Sequence, residues 1–130
     1  MTAKKTGAAA SPAIAARLVH DVGKYIARTA RNLPSTNEAL PPPLHAMLLQ
    51  DLYGAREAPA RRPRTRFSTL AATIDEPRLG EVRALFDTLD TLEDAVRAGQ
   101  PAAVSRAVEI ALRIEELLRA LSRDAKKGTR

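Results

Sequence analysis

The chain has 130 residues and no cysteine, which excludes a disulfide framework and thiolate metal sites and still leaves enough length to bury one core. Two Phe, two Tyr and no Trp leave that core to Leu, Ala, Val and Ile, and Ala/Leu-rich runs with few β-branched clusters predict helix over strand. The net charge of +6 is uneven: residues 1–66 hold eleven Lys/Arg and four Asp/Glu (+7), and residues 67–130 hold ten and eleven (−1), so an anionic partner is expected for the first half.

In chain order, residues 1–10 form a lysine-bearing tail of small residues, expected to be disordered and without the apolar stretch of a secretory signal. Ser11 and Pro12 then open a helix over 11–33, a hydroxyl to cap and a ring that needs no donor in the first turn. Ile14, Leu18, Val22, Tyr25, Ile26, Ala30 and Leu33 share one arc of it, and Pro34 stops it. Residues 35–43 are a proline-stiffened connection to a second helix over 44–53, with Leu44, Met47, Leu48 and Leu52 inward and Gly54 at its end.

Residues 56–66 carry five arginines and two prolines, which predicts an exposed basic loop or linker. Phe67, Leu70, Ala71 and Ile74 have the spacing of two helical turns. Asp75 is placed to cap a third long segment over 76–98, with Leu79, Val82, Leu85, Phe86, Leu89, Leu92 and Val96 inward and Gly99 closing it. Pro101 opens the last helix, 101–123, burying Val104, Ala107, Val108, Ala111, Ile114, Leu118 and Leu121; residues 124–130 are read as a basic tail. So short a link makes the last two helices an antiparallel hairpin, and the whole predicts an all-α, up-down four-helix bundle in one domain, 11–123. A dimer completing its bundle from two chains is the alternative. No apolar run nears the roughly 18 residues needed to span a bilayer, so no membrane association and a cytoplasmic, bacterial-type protein are expected.

The first helix carries His20-Asp21-Val22-Gly23-Lys24. At 100° per residue His20 lies opposite the apolar arc, flanked by Arg17, Lys24 and Arg31, with Ala16, Gly23 and Ala27 as small neighbours. An imidazole standing off a helix among cations suits phosphoryl acceptance, because cations hold the phosphoryl oxygens and small side chains admit a partner. The stretch resembles the histidine phosphotransfer (Hpt) domain, whose motif runs H-x-x-K-G in a four-helix bundle; here Gly23 and Lys24 stand in the exchanged order. Leu18-Val19-His20-Asp21-Val22 is also similar to the H-box of histidine kinase dimerisation helices, although no ATP-binding domain follows. These resemblances imply His20 as phosphoacceptor, with Asp21 and Lys24 beside it. Arg17, Gly23, Ala27 and Arg31 form the binding rim, and the partner is an acidic protein such as a response-regulator receiver domain.

His20-Asp21-Val22-Gly23-Lys24 also resembles the H-D-x-G-K stretch of the HD superfamily of metal-dependent phosphohydrolases. That family takes a further histidine from an earlier helix. No histidine precedes His20, His45 follows it, and Asp51, Asp75 and Asp87 match no ligand spacing, so no metal and no cofactor are expected. The third reading is a non-catalytic helical adaptor that docks an acidic partner through its basic face. His45 is read as a hydrogen-bonded packing residue of the second helix. The 56–66 arginines lack interleaved aromatics, which argues against nucleic acid as the partner.

Overall fold

Ser11 starts the first helix as expected: its Oγ accepts from the Ile14 N–H at 3.1 Å, and Pro12 occupies the first turn. The computed structural model describes residues 11–33, 39–55, 57–72, 74 and 76–127, so the tail at 1–10, Pro34, the first part of the 35–43 connection and the Asp75 cap lie outside the described residues. Helix α1 is built in pieces: α-helical over Pro12–Leu18, a π turn over Val19–Gly23, α-helical again over Lys24–Ala27, and a 3₁₀ turn at Ala30–Asn32. In the π turn the Lys24 N–H bonds the Val19 carbonyl, five residues back. The wider turn delays every later side chain by a fraction of a turn. Ala27 therefore swings inward to join Leu18, Val22, Ile26 and Ala30 in the core.

Helix α2 is Pro42–Tyr53, α3 is Pro63–Ala71, α4 is Pro77–Arg97 and α5 is Pro101–Lys127. Among the described residues there is no strand, and the fold is all-α with five helices in place of the expected four. The added one is α3, which takes in the helically spaced Phe67, Leu70 and Ala71 and begins inside the segment read as an exposed basic loop. Pro63 starts it, Phe67 and Ala71 are buried on its inner face, and the Phe67 ring meets Phe86 of α4 at 5.3 Å. Its arginines do not keep it in solvent because carboxylates of other helices meet them. Arg62 pairs with Glu93 at 3.1 Å, and Arg64 pairs with Asp87 at 2.6 Å and Asp90 at 2.8 Å.

Helices α4 and α5 form the expected antiparallel hairpin, with Gly99 at φ 77° closing α4, a left-handed conformation that suits glycine. Arg78 near the start of α4 pairs with Asp124 near the end of α5, and Glu81 pairs with Arg113. Glu76 caps α4, its carboxylate accepting from the Arg78 N–H. Helix α5 extends through Lys127, so 124–127 of the expected basic tail are helical; 128–130 lie outside the described residues. Leu79, Val82, Phe86 and Leu89 of α4 and Ala107, Ala111, Ile114 and Leu118 of α5 are buried as predicted, each large apolar side chain contributing roughly 1.5–3 kcal/mol against exposure.

Helix α1 packs on α5 in the antiparallel sense, with Gly23 against Glu115 and Leu118 and the earlier Ala16 and Val19 beside Ser122 and Lys126. Helix α3 lies against the π turn and the preceding turns of α1. Helix α2 keeps Leu48 and Leu52 buried as expected, whereas Met47, also read as inward, is 52% exposed. His45 Nε2 donates to the Val96 carbonyl at 2.7 Å and the Tyr53 hydroxyl to the Leu89 carbonyl at 2.8 Å, and these bonds tie α2 to α4.

Candidate functional site

His20 sits in the middle of the π turn with its side chain 78% exposed. Its Nδ1 lies 2.9 Å from Asp21 Oδ1. An ionised carboxylate only accepts hydrogen bonds, so Nδ1 carries a proton, and in that tautomer of the imidazole the lone pair is on Nε2. The Asp21 side chain is itself only 17% exposed, and its second oxygen faces Arg17 at 3.4 Å and Arg66 at 3.6 Å. The His20 hydrogen bond, with help from Arg66 and Arg17, holds the Asp21 carboxyl below its ordinary range against the opposing effect of burial. Asp21 is thus kept as an anion that orients the imidazole.

The expected rim is only partly assembled. Lys24 is exposed one turn beyond His20 and meets no carboxylate among the described residues. Arg17 reaches back to Asp21. Gly23 and Ala27, expected to leave room for a partner beside His20, are instead buried, Gly23 against α5; the π turn carries them out of the solvent arc. Arg31 is committed to Glu115 at 3.0 Å, a carboxylate it shares with Arg119.

Two features were not legible from spacing. Arg66 reaches Asp21 from α3, forty-five positions along the chain, with no sequence signal to pair them. Beside Asp21 lies a pocket of about 480 Å³, bounded by Asp21 and Tyr25 of α1, Gln50 of α2, Glu57, Ala58 and Arg61 of the following turn, and Arg66 of α3. The far end of α1 is fixed by a fully buried carboxylate, Asp51 of α2. It accepts from the Thr29 N–H at 3.0 Å, the Thr29 hydroxyl at 2.6 Å and Arg28 at 2.6 Å. Arg28 in turn stacks over the Tyr25 ring at 4.8 Å.

His45 is half-buried and spent on the Val96 carbonyl, as a packing residue would be. Among the described residues no three His, Cys, Asp or Glu side chains gather closely enough to hold a metal ion. Among them, too, no helix is long and apolar enough to cross a membrane. Comparison with protein-family models, with curated proteins and with solved structures yields no match, so the residues themselves carry the functional argument.

Proposed function

We propose that this chain is a small helical signalling module, its long helices serving as an up-down bundle frame, that accepts a phosphoryl group on Nε2 of His20. The observation that carries the reading is the pairing of exposure with anchorage: the imidazole is 78% exposed while Nδ1 is held 2.9 Å from Asp21. With an aspartyl phosphate of a receiver domain as donor, the Nε2 lone pair attacks phosphorus, the P–N bond forms, and the acyl P–O bond breaks to return the donor's carboxylate. Positive charge develops on the ring as this happens, and the Asp21 anion on Nδ1–H stabilises it. Lys24, without a carboxylate partner among the described residues, meets the phosphoryl oxygens.

The two other readings lose support. HD-type metal chemistry needs a third protein ligand near His20 and Asp21, and none converges among the described residues. The adaptor reading relies on a basic face, yet Arg17, Arg28, Arg31, Arg62, Arg64 and Arg66 each already meet a carboxylate of this chain.

Two experiments test the proposal. Phosphoramidate, which phosphorylates accessible imidazoles directly, should label His20, and absence of label there would overturn the accessibility of Nε2. A panel of ³²P-labelled receiver domains should transfer acid-labile, base-stable label to the chain. His20→Gln should abolish transfer and Lys24→Ala should weaken it, whereas Arg106→Ala on α5 should leave it unchanged. Label persisting in the Gln variant would reject His20 as the acceptor.

A further inference from the structure

The larger pocket, beside Asp21, sets two carboxylates, Asp21 and Glu57, against its two arginines. A groove of about 310 Å³ between α1 and α5 is balanced differently. Ala16 and Val19 of α1 line it with Arg119, Ser122, Arg123 and Lys126 of α5, and among the described residues no carboxylate does. The four α5 residues stand at i, i+3, i+4 and i+7, so they share one face of the helix. Arg123 and Lys126 are exposed, and neither forms an ion pair among the described residues. Arg119 spends Nε and Nη2 on Glu115 Oε2, which also takes Arg31, and keeps the N–H groups of Nη1. Asp124, the neighbour of Arg123 in the chain, is paired with Arg78 at 2.6 Å. Residues 1–10 and 128–130 contain no Asp or Glu and so bring no acidic side chain to offset these cations. Ser122 is only 9% exposed, yet its hydroxyl has no hydrogen-bond partner among the described residues. A hydroxyl so placed costs free energy until a ligand bonds it.

We infer that this groove binds a small phosphate monoester, with the phosphate on Ser122 and Arg123, between Arg119 and Lys126, and the organic group against Ala16 and Val19. The hydroxyl, the Arg123 guanidinium, the Lys126 ammonium and Nη1 of Arg119 hold more donors than the two oxygens of a carboxylate use. No carboxylate in the lining takes up the excess. A phosphate monoester brings three free oxygens and nearly two negative charges, and Arg123 can engage two of those oxygens in parallel. Ala16 and Val19 supply an apolar wall, which an organic group covers and a free phosphate leaves to water. The volume stands at the lower end of the roughly 300–1,000 Å³ range of small-molecule sites, which suits a compact ester. This binding is a property of the groove whether or not His20 is a phosphoacceptor, so the two proposals fail separately.

The test is an NMR titration of the full chain with phenyl phosphate, with inorganic phosphate and benzoate as parallel arms. Phenyl phosphate should give saturable shifts at Ala16, Val19 and Ser122 and at the Arg123 side chain. Arg123→Ala, a change at an exposed position, should weaken binding by about tenfold or more, and Arg106→Ala should not change it. Ala16→Glu, also at an exposed position, places a carboxylate among the cations and should abolish binding. Ser122→Ala should weaken binding by about fivefold while leaving the urea midpoint of the unliganded chain unchanged or raised, because no hydrogen bond is lost. Absence of saturable binding, or binding indifferent to both Arg123→Ala and Ala16→Glu, would overturn the site. Benzoate binding as tightly as phenyl phosphate would overturn the phosphate assignment, and inorganic phosphate doing so would overturn the ester. Unchanged affinity in Ser122→Ala, or a lowered midpoint without ligand, would overturn the part given to its hydroxyl.

Discussion

Removing the buried carboxylate of Asp51 isolates the interaction that ties α1 to α2. The side chain is fully buried, and Thr29 is only 4% exposed. In Asp51→Ala the Thr29 N–H and hydroxyl lose their acceptor where water does not reach, at about 1–3 kcal/mol for each orphaned group. The Arg28 side chain is 59% exposed and returns to water, so its 2.6 Å ion pair adds little. Relief from burying a charge, and rotation of the Thr29 hydroxyl to a helix carbonyl, offset part of the loss, leaving an expected destabilisation of about 2–4 kcal/mol. Asp51→Asn keeps the shape and one acceptor for Thr29 but turns an NH₂ toward Arg28, so about 1 kcal/mol is expected. Arg28→Ala should cost less than about 1 kcal/mol. Urea denaturation at constant m-value reads all three. An Ala variant within about 0.5 kcal/mol of the parent would refute the reasoning. So would an Arg28→Ala loss equal to that of Asp51→Ala, because the ion pair rather than the Thr29 bonds would then hold the helices together.

Leu89→Ala and Leu118→Ala each empty a site 1% exposed and should each cost about 2–5 kcal/mol in urea denaturation; losses below about 0.5 kcal/mol at both would mean the wrong faces are inward. Gly23→Ala should be neutral or stabilising by up to about 1 kcal/mol, since the new Cβ would lie in ordinary contact, 3.5 Å from Leu118 Cδ1 and 3.6 Å from Glu115 Cα, while helix propensity improves. A clear loss of stability there would show that the π turn requires glycine. Stability should also fall in acid. Asp21 and Glu76 are held below their ordinary values, by the His20 hydrogen bond and by Arg78; for Glu93, burial opposes the shift and Arg97 and Arg62 outweigh it. Depressed folded-state values mean the contribution is complete above the ordinary values of 3.8 and 4.5 and is lost as pH falls through the folded-state values. Urea midpoints should decline below about pH 4, and Glu93→Gln should flatten that decline. A Gln variant with an unchanged acid profile would reject the assignment.

Local chemistry was the legible part. The Ser11 cap, the Gly54 and Gly99 stops and the apolar faces of α4 and α5 depend on neighbours within a turn or two, so periodicity and turn residues suffice to place them. The exposure of His20 and its contact with Asp21 are local in the same sense. The phase of α1 beyond residue 19 was not. A constant 100° per residue put Gly23 and Ala27 beside His20, and the π turn that buries them packs on α5, where Gly23 meets Leu118, and on α3.

Charge misled for a related reason. Residues 56–66 look unable to pack when counted alone, because five arginines against one glutamate, with two prolines, imply solvent. The carboxylates that receive Arg62, Arg64 and Arg66, namely Glu93, Asp87 and Asp90 on α4 and Asp21 on α1, lie between twenty-three and forty-five positions away. The sequence by itself determined an all-helical chain, several of its caps and stops and a histidine turned to solvent, since backbone propensity, capping and periodicity act over a few residues. Only the tertiary structure decided which arginines are neutralised, that α3 docks, and that Arg66 joins Asp21 at the edge of a pocket. Coulomb attraction and close packing act between groups near in space, and spacing along a chain carries no record of which distant groups will meet.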